Sequence, residues 1–314
     1  MIIVNDWASY QPVKKPRAVL TVGVFDGLHL GHQRLIGEVV ERAGRQEAAS
    51  VVLTFEPHPL ALLSSAQAPE VLTTLPQKAE ILESLGVDVL GRLEFNESLR
   101  MTPPSDFLRD YLERKVELSE IVVGPDFRFG KDAEGHTDLL CQWAKSLKAS
   151  VTEFALQKGP DDVVYSSSHV RRLLKMGLVE AAAISLGRPY RLSGKVVPGA
   201  ARGRRLGFPT ANLGQVVQLI PGPGVYAVRA RLRGAFHSGM TSVGHNPTFA
   251  NQYLTVETCL FDFAEDFYGE MFEVDFVSHL RGMVKFDGLE GLIRQLGEDE
   301  RRAREKLSGA WPGL

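Results

Sequence analysis

Cysteine is nearly absent: Cys141 and Cys259 are the only two in 314 residues, and they stand far apart. That excludes a disulfide framework and a cysteine-based zinc pattern. Long hydrophobic runs are missing too. No apolar stretch approaches the length of a membrane span, and the first residues carry no signal-peptide core. A reduced, cytoplasmic protein without a membrane partner is the expectation. Charge of one sign is not in excess, since 36 Lys and Arg face 38 Asp and Glu for a formal net charge of −2. This argues against a broad nucleic-acid surface, while leaving room for local arginine clusters. No internal repeat, low-complexity tract or lipidation motif breaks the pattern. What is there is a hydrophobic content of 44 % in a chain long enough for two domains, each with a core.

The first half alternates strand and helix. Residues 17–25 read as a buried parallel strand, 32–43 as a helix and 50–55 as the next strand. Thr74-Leu75-Pro76 caps a helix that ends at Gly86, and 87–93 returns as a strand. Further segments follow: a helix over 102–115, a strand at 121–123, a helix over 137–148 and a strand at 151–156. Such alternation predicts a doubly wound parallel sheet.

Where the first strand turns into the first helix, the chain reads Gly23-Val-Phe25-Asp26-Gly27-Leu-His29-Leu-Gly31-His32. In an open parallel sheet this is where ligands bind. The glycines allow close backbone approach, and the helix start offers free N–H groups to phosphate. His29 and His32 are three apart and share a helix face. The stretch has neither the Lys-Ser/Thr ending of a P-loop nor the spacing of a dinucleotide fingerprint. A Gly-rich turn with two structural histidines is the plain alternative.

Three more segments sit at strand ends or helix starts. Glu56-Pro57-His58-Pro59 is a stiff loop that makes His58 a ligand candidate. Gly124-Pro-Asp126-Phe127-Arg128-Phe129-Gly-Lys131 places aromatics and cations where a flat ring and a phosphate could be held, or else packs its two phenylalanines in the core. Tyr165-Ser166-Ser167-Ser168-His169-Val-Arg171-Arg172 puts serines before a helix and a cation in its first turn. Arg171 is unfavourable there for the helix dipole unless an anion intervenes.

After a short helix over 179–186 the pattern changes to β-strands at 190–197, 225–232, 236–243, 254–261 and 272–280, closed by a helix over 288–307. Strands at this spacing predict a small antiparallel barrel on which the last helix packs. Gly199-Ala-Ala-Arg202-Gly203-Arg204-Arg205-Leu-Gly207-Phe-Pro209-Thr210-Ala-Asn212 can wrap a polyphosphate, or serve as a flexible basic loop. In extended chain Thr210 and Asn212 face one side, and their oxygens suit Mg²⁺. Glu257 lies in an apolar strand, where a carboxylate needs a reason or a surface position.

Together these motifs resemble the bacterial bifunctional riboflavin kinase/FMN adenylyltransferases. Gly-x-Phe-Asp-Gly-x-His-x-Gly-His is similar to the His-x-Gly-His signature of nucleotidylyltransferases. Gly-Phe-Pro-Thr-Ala-Asn resembles the riboflavin kinase loop. The resemblance implies an adenylyltransferase domain at 1–186 and a kinase domain at 187–314. It implies catalytic roles for His29, His32, Arg171 and Glu257. ATP contacts are implied at Gly23, Phe25, Asp26, Gly27, Gly31, Ser166, Ser167 and Ser168, and in the second domain at Gly199, Arg202, Gly203, Gly207 and Pro209. Flavin contacts are implied at His58, Asp126, Phe127, Arg128, Phe129 and Arg281, and Mg²⁺ ligands at Thr210 and Asn212. Riboflavin, FMN and ATP become the substrates, FMN and FAD the products. The chain departs from the family at Ser168 (usually Thr), His169 (usually Arg), Cys259 (often His) and Ser242 (often Asn). His169 keeps a kinase with weakened adenylyl transfer in view. A flavin- or nucleotide-binding regulator, touching RNA through Arg202 to Arg205, is the alternative from another class. The oligomeric state is not legible.

Overall fold

The computed structural model describes residues 1–63, 68–155, 157–159, 162–198, 208–245, 254–263, 265 and 267–309. The chain divides into two compact units, Met1–Ser166 and Ser167–Leu314.

In the first unit β2 (Arg17–Gly23) is buried along five consecutive residues. Neighbouring residues of a strand face opposite ways, so such a run belongs to a strand covered on both faces. Leu20 and Leu53 join one apolar cluster with Trp7, Phe107 and Ile121. Val19 and Val52, one residue earlier, join the other with Ile36, Val39 and Leu82. The sheet between them is wholly parallel, in the order β1 (Ile2–Val4), β4 (Val89–Glu94), β3 (Ala49–Glu56), β2, β5 (Glu117–Val123), β6 (Ser150–Glu153). Chain order runs one way from β2 toward β3 and the other way from β5 toward β6. The switch point therefore lies between β2 and β5, where an open α/β sheet forms its ligand crevice.

The helices are α1 (Leu30–Arg45), α2 (Pro59–Leu63), α3 (Leu75–Ser84), α4 (Glu97–Arg100), α5 (Pro104–Phe107) and α6 (Thr137–Ser146). Thr74 and Gln77 form a capping box at the start of α3, which fixes that helix end. The structure adds β1, α2 and α4 to the sequence reading and starts β5 four residues earlier. It also splits the single helix expected over 102–115 into α5 and a π-turn at Leu108–Glu113. Pro103 and Pro104 open that segment, so it starts late.

The second unit begins with α7 (Ser167–Lys175) and α8 (Val179–Leu186). A closed antiparallel barrel follows, in the order β10 (Ala235–His245), β11 (Leu254–Leu260), β8 (Thr210–Gly214), β7 (Tyr190–Val197), β12 (Met271–Arg281), β9 (Gly224–Leu232). Strand β8 was not expected as a barrel member. Alternate residues such as Leu192, Val228, Phe272, Val274 and Phe276 are fully buried. The opposite face, with Val225, Ala227, Met240 and Cys259, packs against Ala303 and Leu307 of α9 (Leu289–Leu307). Helix α8 binds the barrel through Glu180, whose carboxylate accepts from Ser278 Oγ at 2.6 Å and His279 N at 2.9 Å. Thus α7 and α8, read from sequence as the end of the first domain, belong by packing to the second compact unit.

One position tests the sheet packing. A Cβ on Gly91 of β4 would stand 2.5 Å from Leu53 Cδ2 and 2.6 Å from the Trp7 ring. Gly91→Ala should lower the stability of the first unit by about 1–3 kcal/mol, the usual cost of overpacking, as read from urea unfolding followed by tryptophan fluorescence.

Candidate active sites

The stretch Gly23 to His32 spans the carboxyl end of β2, one 3-10 turn at Asp26–Leu28 and the start of α1. Phe25 has φ 48° and Gly27 φ 79°, which is why glycine serves at 27. The buried Phe25 ring folds back over Gly23, where a Cβ would lie 2.8 Å from it. Asp26 is 4 % exposed, and its carboxylate accepts from the backbone N–H of Leu72 and Thr73 at 3.0–3.1 Å. Asp26 was expected among the ATP contacts; the structure has it hold the loop to the segment leading into α3.

His29 caps α1: its Nδ1 accepts from His32 N at 3.4 Å, which leaves Nε2 as the donor in the neutral ring. The His29 and His32 rings stack at 3.7 Å, and Phe25 meets His32 edge-on at 5.3 Å. Gly31 keeps this stack close, since a Cβ there would stand 3.1 Å from the His29 ring. His32 Nδ1 is buried with no hydrogen-bond partner among the described residues. Burial, and next the charges of His29 and Lys78, hold the His32 pKa well below 6.5. The sequence reading missed Lys78. It sits four residues before Leu82 on the buried face of α3, and that spacing was the available signal.

Beside this loop lies a cavity of about 460 Å³. It runs from Gly23 and Val24 after β2 to Asp126, Phe127, Arg128 and Phe129 after β5. The four flavin candidates of that segment thus reach one cavity at the switch point. Phe127 is half-buried, while Phe129 is buried between Phe127 and Phe107 at 5.5 and 5.8 Å. His58 is half-buried and accepts from Leu60 N at 3.1 Å; its neighbour Pro59 lines the cavity, and His58 does not. Ser166 closes the first unit. Ser167, Ser168, His169 and Arg171 lie in the first turns of α7, in the second, and Arg172 contacts His169 Nδ1 at 2.9 Å.

In the barrel, register assembles the second site. Glu257 stands directly across from Asn212 on β8 and from Ser242 on β10; Cys259 stands across from Thr210 and Met240. Opposed residues point to the same face, so Thr210, Asn212 and Glu257 share one patch. Cys259, also on it, is buried beneath α9, and burial with the Glu300 charge pushes its thiol up to about 11. It stays protonated and packs as an apolar group. Pro209 and Thr210 border a cavity of about 250 Å³ walled by Phe263 and Phe267. Phe263 and Phe267 follow Glu257 closely in the chain, yet their wall was not foreseen from the sequence. Arg281 binds Asp299 of α9 through Nε at 2.9 Å and Nη2 at 2.7 Å, and Gln295 adds a contact at 3.0 Å. Its guanidinium lies 5.8 Å from the Phe286 ring. Gly199, Arg202, Gly203 and Gly207 fall outside the described residues.

The Thr210 hydroxyl, Asn212 amide oxygen and Glu257 carboxylate are hard oxygen donors and fit Mg²⁺ in kind. Among the described residues no cluster of three His, Cys, Asp or Glu could hold a metal, so such an ion would lean on substrate phosphates. Each unit thus offers one candidate site, at a sheet switch point in the first and on a face of a closed barrel in the second.

Comparison with known proteins gives the family. The FAD synthetase model matches residues 11–168 and the riboflavin kinase model residues 186–307. Bifunctional riboflavin kinase/FMN adenylyltransferases from Listeria monocytogenes and Bacillus subtilis are 39 % and 34 % identical. The alignments cover 91 % of both chains and 92 % of both chains, respectively. A crystal structure described as a macrolide-efflux protein from Streptococcus pneumoniae superposes with a TM-score of 0.83 at 29 % identity, over 96 % of this chain and 98 % of that one. The chain belongs to the bifunctional riboflavin kinase/FMN adenylyltransferase family. No helix among the described residues is long and apolar enough to cross a membrane.

The histidine pair sets a pH dependence. Because His32 has a lower pKa folded than its ordinary 6.5, the unfolded chain binds more protons in acid. Its contribution to stability is whole above about pH 6.5 and falls as pH drops below that value. Urea unfolding of the first unit should therefore show a loss between pH 7 and 5.5 that is smaller in His32→Gln.

Proposed function

We propose that this chain makes FAD from riboflavin in two ATP-dependent steps, at 187–314 and then at 1–186. The observation that carries the reading is that one chain holds both family domains, each with its own constellation of side chains.

At the barrel patch, Glu257 takes the proton of the ribityl terminal hydroxyl. That oxygen attacks the γ-phosphorus of ATP, ADP leaves, and FMN forms. Thr210 and Asn212 would hold Mg²⁺, which supplies charge neutralisation on the phosphates. The cross-strand placement of Asn212 against Glu257 supports these roles. We assign Gly199, Arg202, Gly203, Gly207 and Pro209 to the ATP phosphates, and Arg281 to closing the flavin side through its hold on α9 and Phe286.

In the first unit, an FMN phosphate oxygen attacks the α-phosphorus of a second ATP and pyrophosphate leaves. The FMN phosphate is already anionic, so no general base is needed. Catalysis is positioning and charge stabilisation: His29 and His32 face the phosphates, with Gly23, Gly27 and Gly31 admitting them. The cavity at Asp126–Phe129 takes the flavin, with His58 at its edge. We assign Ser166, Ser167, Ser168 and Arg171 to the same reaction on the motif match. Two free thiols, at Cys141 and Cys259, support a reducing, cytoplasmic location.

Single substitutions should separate the steps. His29→Ala is expected to cut FAD formation roughly 10²–10³-fold and to leave FMN formation unchanged; Glu257→Gln should abolish FMN formation and leave adenylylation of added FMN unchanged. Chromatography of flavins from each variant checks both. Normal FAD synthesis by His29→Ala would sink the assignment of the first site.

A further inference from the structure

Lys78 occupies a place where an apolar residue would be ordinary. It lies on the core side of α3 and is 3 % exposed. Its ammonium donates to Val24 O at 3.0 Å and approaches Thr54 Oγ1 at 3.4 Å and Glu56 Oε2 at 3.8 Å. Thr54 Oγ1 donates to the same Val24 carbonyl at 2.9 Å. Val24 immediately precedes Phe25, where the backbone enters the left-handed region. One buried cation thus joins α3 to the carboxyl ends of β2 and β3, and both loops that leave those ends carry candidate site residues.

A buried ammonium loses its hydration, and an apolar group of similar size would avoid that loss. A neutral donor could satisfy the Val24 carbonyl. What lysine adds is charge, beneath a loop built to receive phosphates. This inference rests on the adenylyltransferase reading of that loop. We propose that Lys78 is a positioning residue for adenylyl transfer: its ammonium pins the Gly23–His32 loop from below, and its charge acts on the imidazole of His32.

The groups around His32 make the direction clear. His29 stacks on it from the start of α1, Phe25 meets its edge, and Lys78 acts from α3. Burial lowers the Lys78 pKa from its ordinary value, and Glu56 on β3 and Asp26 on the 3-10 turn work against that and favour its charged form. Lys78 therefore disfavours imidazolium at His32 just as incoming phosphates would favour it. His32 stays neutral, and the stacked pair avoids holding two like charges 3.7 Å apart.

The test uses the full chain. Lys78→Met should lower kcat for FMN adenylylation roughly ten- to a hundredfold. The acid limb of its kcat/KM profile should move to higher pH, while riboflavin phosphorylation by the same preparation is unchanged. Lys78→Arg, which keeps the charge, should hold the limb at the wild-type pH. A wild-type rate and profile in Lys78→Met would overturn the proposal, as would an equal loss at every pH with the limb unmoved, which marks a merely structural role. If Lys78→Met does not fold, Lys78→Gln, which keeps a donor for the Val24 carbonyl without the charge, takes its place: an acid limb moved to higher pH supports the proposal, and an unmoved limb overturns it. A wild-type chain that makes FMN but no FAD would instead remove the adenylyltransferase reading itself.

Discussion

Asp26 commits its carboxylate to two backbone N–H groups, those of Leu72 and Thr73. A few residues away Lys78 commits its ammonium to the Val24 carbonyl. Both are buried and both hold main chain. The Gly-rich loop they grip has little shape of its own, because glycine leaves the backbone free. A phosphate site needs donors fixed before the charge arrives. The loop is thus held by two charges, at Asp26 and Lys78. The stacked histidines and the left-handed Phe25 belong to the loop held in this way.

The barrel reaches the same end by another constraint. Its strands put alternate residues on opposite faces, and closure fixes which residues oppose one another. Thr210 and Asn212 are two apart on β8, Glu257 and Cys259 two apart on β11, and the register sets these pairs across from each other. No long-range charge is needed to gather them. Helix α9 then covers the Cys259 end of the patch and is tied down by Arg281 through Asp299, which has no exposed surface. The first unit places its candidate site at a sheet switch point, the second on a barrel face. In both, the scaffold orders the residues of the candidate site.

Much of this was legible in the sequence, for definite reasons. The buried strands β2 and β3 declare themselves by unbroken β-branched and apolar runs, and α3 by Thr74 and Pro76. The two Gly-rich stretches show because their recurring glycines with histidine or arginine break the apolar periodicity around them. Other features leave no local trace. Strand β1 is three residues long with Ile2 and Ile3 exposed, so it lacks alternation. Strand β8 sits inside a stretch whose glycines and arginines read as loop. Asp26 reads as a ligand candidate from its motif; that its carboxylate holds residues 72 and 73 is visible only in the fold. Lys78 drew no notice near a helix start. Its partners at 24, 54 and 56 are gathered by the parallel sheet, which periodicity alone does not register.

The most direct test of the central claim, that one chain carries two successive transfers, is to follow the label from ATP. Purified protein is incubated with riboflavin, Mg²⁺ and ATP labelled at either the γ- or the α-phosphorus, and flavins are separated over time. The account predicts γ-label in FMN first, then FAD bearing both the γ-derived phosphate and an α-labelled adenylate. FMN that accumulates without any α-labelled FAD, or α-label entering flavin before γ-label, would contradict it.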